Sequence, residues 1–259
     1  MHFTVILSCS QSTIRSRASA LLAYGVCASL LMGCYGNQQM PILETFMLGI
    51  ANPNTVIDQT PLNPNFRYLK VEANGQPALL VLGYNDAHPQ GQRTTWYSAF
   101  KEVVELQGGR LVNTEGLEVN WTQVSIPDAP PLSSILANNE VSSKRARSKL
   151  RYIRIRTVMP GYHVNIRETV ILEALDEMPS DVPKQLRDGA SNTNIRWVQE
   201  TVLVPPQSTN PSIKPLKAVY AIDRTTGAVV YGKQYLRPDY FVSWLSWPYP
   251  AKPISKAGN

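Results

Sequence analysis

Cysteine and histidine are scarce in this 259-residue chain, and their positions narrow its chemistry. All three cysteines lie within the first 34 residues, so the rest of the chain cannot build a disulfide framework or a cysteine-based zinc site. Beyond that region there are two histidines, His88 and His163. A histidine-based catalytic triad or a multi-histidine metal site is therefore hard to assemble, and we expect no metal and no cofactor.

Charged residues are also few. They make up 17% of the chain, whereas apolar residues make up 43% and 20 residues are proline, which favours short strands and turns over long charged helices. The formal net charge falls from +6 to +4 when residues 1–33 are removed, because they contain Arg15 and Arg17 and no acid. This mild charge lacks the dense basic field of a nucleic-acid-binding protein, so we expect no nucleic-acid partner.

Residues 1–33 have the pattern of a secretory signal peptide, with arginines followed by an apolar run from Ala18 to Met32. The run has about 15 residues, fewer than the roughly 20 that a membrane-spanning helix needs. Its end, Leu31-Met-Gly-Cys34, resembles the lipobox of bacterial lipoproteins. That resemblance implies cleavage before Cys34, a diacylglycerol on its thiol, and palmitate among the acyl chains of the mature protein. The alternative is an ordinary signal peptide with a chance cysteine.

Paired strands separated by turn residues dominate the rest of the chain. The Asn74-Gly75 dipeptide, typical of a tight hairpin, lies between alternating segments at 66–72 and 78–84. Further strands are expected at 95–100, 103–106, 110–114, 150–158, 162–172, 195–204, 217–223 and 228–235. Helical patterns are weak and short, at 42–50 and 132–138. So many strands must close or stack to hide their edges, which predicts a mainly β fold, an antiparallel barrel-like or sandwich domain with a few short helices.

The pattern divides the chain into four parts. We expect a signal peptide at 1–33, an acylated cysteine with a tether or short helix at 34–65, a single mainly β domain at 66–250, and a loose tail at 251–259.

Two groups of motifs resemble a known family. The segment Thr95-Trp-Tyr-Ser-Ala99 is followed after a short hairpin by Gly109-Arg-Leu-Val-Asn-Thr-Glu-Gly-Leu117. Later come Ile222-Asp-Arg-Thr-Thr-Gly227, Gln234 and Pro238. Their order and spacing, together with the lipobox, resemble the YjbF/GfcB-type lipoproteins encoded with group 4 capsule and exopolysaccharide genes, over most of residues 34–240.

This resemblance implies a lipid-anchored protein on the periplasmic face of the outer membrane. Tyr35 agrees with the outer membrane, because retention in the inner membrane usually calls for Asp at that position. It implies a non-catalytic part in exopolysaccharide or capsule secretion, beside an outer-membrane β-barrel and periplasmic secretion proteins, and a polysaccharide is a further expected contact. One alternative is a glycosidase-like enzyme using a carboxylate pair, for which the chain offers Glu102/Glu105, Glu115/Glu118 and Asp176/Glu177. Another is a structural envelope lipoprotein that binds anionic glycan or lipid.

One basic run is a candidate binding site for an anionic glycan or a partner. It contains Lys144, Arg145 and Arg147 and ends in Arg154 and Arg156, which alternate with Ile153 and Ile155. Alternation places the arginines on one face of a strand, and we expect that face to point outward. The alternative is a solvated strand face after a basic loop.

Aromatic residues supply the second candidate site. The tail segment 240–249 contains Trp244 and Trp247, and Trp96 lies in the family-like motif. These rings are interpreted either as core, including a terminal strand, or as contacts with a partner, a membrane surface or a sugar.

Overall fold

The computed structural model describes residues 57–135, 149–187, 194–203 and 215–249, all of which belong to one compact unit that spans 41–259. The signal peptide, Cys34, the helix expected at 42–50, Lys144, Arg145, Arg147 and the tail at 251–259 lie outside the described residues. Among the described residues, no helix is long and apolar enough to cross a membrane.

Twelve strands and one short helix are the main regular elements of this part of the chain, and positions 57–59 are also helical. The strands are β1 (Tyr68–Ala73), β2 (Gln76–Asp86), β3 (Arg93–Tyr97), β4 (Val103–Gln107), β5 (Arg110–Glu115), β6 (Asn120–Ser125), β7 (Leu150–Met159), β8 (His163–Ala174), β9 (Ile195–Val202), β10 (Lys217–Asp223), β11 (Val229–Arg237) and β12 (Tyr240–Trp247), and the helix is α1 (Lys184–Arg187). Positions 134 and 135 are also helical, at the place of the helix expected at 132–138.

The strands form one antiparallel sheet in the order β5-β4-β3-β2-β1-β12-β11-β10-β9-β8-β7-β6. Most strands pair with their neighbours in sequence. The last strand, β12, also pairs with the first strand, β1, so the first and last strands lie side by side in the middle of the sheet. The sheet curls into a nearly closed barrel. At the remaining seam, the Trp121 backbone N–H of β6 donates a 3.0 Å hydrogen bond to the Thr114 hydroxyl of β5. The predicted mainly β, barrel-like fold is confirmed.

Local turn chemistry sets the hairpins. Asn74 and Gly75 both have positive φ, at 48° and 89°, as a two-residue turn between right-twisted strands requires. Between β10 and β11, the Asp223 carboxylate accepts hydrogen bonds from the backbone N–H groups of Thr225 and Thr226. These hydrogen bonds outweigh the opposing effect of burial and lower the pKa of Asp223. The family-like segment 222–227 is therefore a side-chain-stabilised turn.

The barrel has apolar cores on both sides of its sheet. Inside, a large cluster is built around Trp121, Tyr220 and Trp244. Outside, Val182 and Leu186, from α1 and the loop before it, pack on side chains of β9–β12 such as Trp197. The outer faces of these strands are thus covered by the chain itself.

One strand escaped the sequence analysis and another was left open. β6 was not expected, because Asn120–Ser125 is short and its polar residues obscure the alternation. The tail segment at 240–249 was left open between core and surface roles, and it forms β12 in the middle of the sheet. A tail of this kind is buried because it fills the gap between β1 and β11.

Candidate functional site

The inward face of β7 carries an ion cluster. Arg154 and Arg156 both point into the barrel and are 4% and 7% exposed. Glu168, on the neighbouring strand β8, accepts hydrogen bonds from both guanidinium groups, at 2.8 Å from Arg154 and 2.5 Å from Arg156. Both guanidinium carbons lie 4.5 Å from the ring centroid of Trp121, where the ring quadrupole attracts them. Two buried cations are thus held by one carboxylate and one aromatic face.

This cluster controls the ionisation of its carboxylate. Burial opposes the charge of Glu168, but the hydrogen bond from Arg156 and the positive charges of both arginines outweigh burial, so the pKa of Glu168 lies below its ordinary value. Glu168 also raises the pKa of Arg154 against the opposing effect of burial. Glu168 and Arg154 are therefore both charged at neutral pH.

A second cluster of polar side chains lies inside the barrel. Arg110 of β5 donates a 2.7 Å hydrogen bond to Glu200 of β9, and the Tyr220 hydroxyl lies 3.0 Å from the other oxygen of the same carboxylate. The Tyr220 oxygen is also 3.1 Å from the side-chain oxygen of Gln234. Burial and the negative charge of Glu200 raise the pKa of Tyr220 well above its ordinary value. The arrangement joins β5, β9, β10 and β11 across the interior.

The predicted outward orientation of Arg154 and Arg156 is wrong. Alternation correctly separated them from Ile153 and Ile155, but it is the isoleucines that lie on the outer face, half-buried. The arginines can face inward because Arg154 is the register partner of Glu168 in the β7–β8 hairpin, and a paired charge can be buried. That partner could have been found from the sequence, since a hairpin centred on Gly161 places residues 154 and 168 opposite each other. With both guanidinium groups bound to Glu168, they do not form the outer platform on which the anion-binding prediction depended.

The tryptophan candidates are also mostly interior. Trp96 is 5% exposed and Trp244 is 2% exposed, and both belong to the inner core. Trp247 is half-buried at the end of β12, with the Lys70 ammonium 4.9 Å from its ring centroid. Of the two interpretations left open for Trp96 and Trp244, the structure supports the core and not a surface contact, because both rings point inward.

Two of the exposed aromatic side chains are neighbouring tyrosines that the sequence analysis did not select. On the outer faces of β2 and β3, Tyr84 is 61% exposed and Tyr97 is 40% exposed. Their rings meet edge to face, with centroids 6.2 Å apart. Tyr97 directly follows Trp96 in the family-like motif, so period-two alternation would have identified it once the inward direction of Trp96 was known.

Beside these rings, polar side chains run across the outer face of the sheet. In register order, Thr95, Glu105 and Asn113 follow Tyr84 across β3, β4 and β5. Glu105 accepts a 2.9 Å hydrogen bond from the Arg93 Nε and a 3.2 Å hydrogen bond from the Asn113 amide. The polar groups next to the tyrosines are therefore held in fixed positions. We refer to Tyr84, Tyr97, Arg93, Glu105 and Asn113 as the tyrosine face.

The β7–β8 hairpin ends in a second exposed apolar feature. At its tip, Tyr162 is 79% exposed and Val164 is 59% exposed. Tyr162 has a φ of 54°, a conformation that L-residues adopt rarely. We refer to Tyr162 and Val164 as the hairpin tip.

Members of two of the acidic pairs considered for a glycosidase-like site are bound to neighbouring side chains. Glu102 of the pair Glu102/Glu105 accepts a hydrogen bond from the Ser98 hydroxyl, while Glu118 is paired with Arg237 at 3.4 Å. Within the described ranges, no three His, Cys, Asp or Glu side chains come together in a way that could hold a metal ion.

Comparison with known proteins identifies relatives of the whole barrel. The family model described as "Group 4 capsule polysaccharide lipoprotein gfcB, YjbF" matches residues 57–243, from just before β1 into β12. Among solved structures, the hypothetical lipoprotein YmcC from Escherichia coli (K12) is similar, with a TM-score of 0.50 and 20% sequence identity over 84% of this chain and 100% of that one. At that identity the likeness concerns the fold. No curated protein sequence matches the chain. Because the family model spans well over half of the residues, the chain belongs to the YjbF family of group 4 capsule polysaccharide lipoproteins.

Proposed function

We propose that this protein is an outer-membrane lipoprotein, facing the periplasm, that takes a non-catalytic part in capsule or exopolysaccharide secretion. The family match over residues 57–243 carries this proposal, because it covers the complete barrel up to Ser243 of β12. The buried acids support a non-catalytic role: Glu168 and Glu200 are each bound to arginine inside the barrel, which leaves neither poised to transfer a proton to a substrate.

Membrane attachment depends on Cys34 in this proposal. A thiol is the nucleophile that can form the thioether to a diacylglycerol, and two or more acyl chains give stable anchoring where one gives only marginal binding. Cys34→Ser should leave the protein unprocessed or release it from the outer membrane. Cys27→Ser is the matched control, because Cys27 lies in the same apolar run but is not the residue directly after the cleavage point. Fractionation of the Cys34→Ser protein with the outer membrane at high salt would contradict the lipobox assignment.

The secretion role predicts a specific cellular defect. Loss of the gene should lower the amount of extracellular polysaccharide while its glycosidic linkages stay unchanged, since the protein acts in export and not in bond cleavage. Wild-type protein should restore secretion, and the Cys34→Ser variant should not. Linkage analysis separates this role from the enzyme alternative: an altered linkage pattern or chain length, or shortening of the polysaccharide by the purified protein, would favour a glycan-modifying enzyme.

The hairpin tip is where we expect a partner protein, an outer-membrane β-barrel, to contact this domain. Exposed tyrosine is enriched in protein interfaces, and Tyr162 is the more exposed of the two residues at the tip. A photocrosslinking amino acid at position 162 should capture an outer-membrane β-barrel protein in intact cells. The same group at position 84, on the tyrosine face, is the control and should capture less of it. Equal capture from both positions would show that the hairpin tip is not a specific contact.

A further inference from the structure

The tyrosine face combines features that suit one kind of ligand. Tyr97 lies across Gly83, where an added Cβ would stand only 2.4 Å from the ring carbon Cε2. Gly83 occupies the β-bulge between Leu82 and Tyr84, so the backbone itself leaves room for the ring to lie against the sheet. Tyr84 then meets this ring at 72°. The result is a corner of two exposed rings supported by backbone, not by mobile side chains.

The polar side chains next to the two rings are held in position by hydrogen bonds to one another. Glu105 is held by Arg93 and Asn113, and its side chain is 17% exposed while that of Arg93 is 43% exposed. Carboxylate, amide and guanidinium groups are planar and can bond two neighbouring hydroxyl groups at once. Because they are ordered before a ligand arrives, binding loses little side-chain entropy.

Charge narrows the ligand class. Besides Glu105 and Arg93, this outer face carries Glu115 and the exposed Asp86, which is the register partner of Arg93. Burial, Tyr84 and the negative charges of Glu105 and Glu115 together raise the pKa of Tyr97. Three carboxylates and one guanidinium group disfavour phosphate or a polyanionic chain. A neutral pyranose fits better, because its C–H face is apolar enough to stack on an aromatic ring while its hydroxyl groups bond to the polar row.

We propose that the tyrosine face binds a neutral pyranose segment of a polysaccharide directly. This inference rests on the proposed role in polysaccharide secretion and adds to it the part of the molecule that touches the chain. Tyr97 and Tyr84 stack on sugar rings, and Glu105, Asn113 and Arg93 bond to hydroxyl groups along the row.

Binding of the full-length, detergent-solubilised protein to immobilised exopolysaccharide from the producing strain tests the inference. The double variant Tyr84→Ala/Tyr97→Ala should bind about 100-fold more weakly, since each aromatic stacking contact contributes roughly a factor of ten. Tyr97→Phe keeps the ring and should retain most binding. Tyr162→Ala/Val164→Ala at the hairpin tip is the matched control and should bind like wild type. Binding of wild type should change little at 1 M NaCl, because no net ionic attraction drives it.

Four results would overturn the inference. The first two are a wild-type protein that binds no polysaccharide and a wild-type protein that loses its binding at high salt. The third is unchanged binding by the Tyr84→Ala/Tyr97→Ala variant. The fourth is a Tyr84→Ala/Tyr97→Ala variant that still binds polysaccharide but no longer crosslinks to an outer-membrane protein. The proposed function is judged separately: secretion that falls on gene deletion keeps it in place even when purified protein binds no polysaccharide, whereas unchanged secretion rejects it whatever the binding assay shows.

Discussion

Inside and outside the barrel, an aromatic ring lies across a glycine of the neighbouring strand. Inside, an added Cβ at Gly232 would stand 2.3 Å from the Trp244 ring, and outside, one at Gly83 would stand 2.4 Å from the Tyr97 ring. Trp244 is 2% exposed and Tyr97 is 40% exposed. The same local geometry therefore serves close packing in one place and presents an accessible ring in the other.

A carboxylate held by arginine also recurs on both sides of the sheet. Inside, Glu168 binds two arginines that have almost no contact with solvent. Outside, Glu105 binds Arg93, whose side chain is 43% exposed. Because water screens the outer pair and not the inner cluster, we expect the inner group to matter for folding and the outer group to matter for what the surface binds.

The largest expected effect comes from removing the inner carboxylate. Glu168→Gln leaves two buried guanidinium groups without their counter-charge and should lower the free energy of unfolding by about 3–5 kcal/mol. The matched outer change, Glu105→Gln, should cost less than about 1 kcal/mol. Urea denaturation followed by tryptophan fluorescence measures both. Similar losses of unfolding free energy in the two variants would contradict the expected difference between the inner and the outer carboxylate.

The pH dependence of stability should report the same inner cluster. The pKa of Glu168 in the folded protein is below its ordinary value of 4.5, so near that pH the unfolded chain binds more protons than the folded one. The stabilisation from Glu168 is therefore complete well above pH 4.5 and is lost as the pH falls through the folded pKa. Denaturation at a series of pH values should show the gap between wild type and Glu168→Gln narrowing in acid. A gap that stays constant down to pH 3 would disagree with this linkage.

An intermediate effect is expected from filling the space under each ring. Gly232→Ala forces a methyl group against buried Trp244, which cannot move away, and should cost about 1–3 kcal/mol. At Gly83→Ala the exposed Tyr97 ring can swing into solvent, so the cost should stay under about 1 kcal/mol. The displaced ring should nevertheless weaken polysaccharide binding. Thermal unfolding combined with the binding assay measures this pair, and a greater stability loss at position 83 would reverse the expected order.

The smallest effect on folding should come from the tyrosine face itself. Tyr84 is 61% exposed and Tyr97 is 40% exposed, so each alanine substitution removes only part of a buried ring and should lower the free energy of unfolding by less than about 1 kcal/mol. The melting temperature of the double variant should therefore lie close to that of wild type. A large drop would indicate that these rings belong to the core in energetic terms.

Local chemistry in the sequence predicts much of the architecture. The dipeptide Asn74-Gly75 and the segment 222–227 specify their hairpins through backbone conformation and side-chain caps, and β10 has the bounds 217–223 expected from its pattern. β12 was harder to predict, because its role depends on pairing with β1, more than 160 positions earlier in the chain. No local pattern encodes a partner at that separation.

The candidate site shows the same division between local and long-range information. Alternation in the sequence by itself determined that Arg154 and Ile153 occupy opposite faces of β7, and that Trp96 and Tyr97 occupy opposite faces of β3. Only the tertiary structure decided which face is the interior. Closing the barrel placed Glu168 and the Trp121 ring against the arginines, which compensated the cost of burying them, and the same closure turned Trp96 inward and left Tyr97 on the surface.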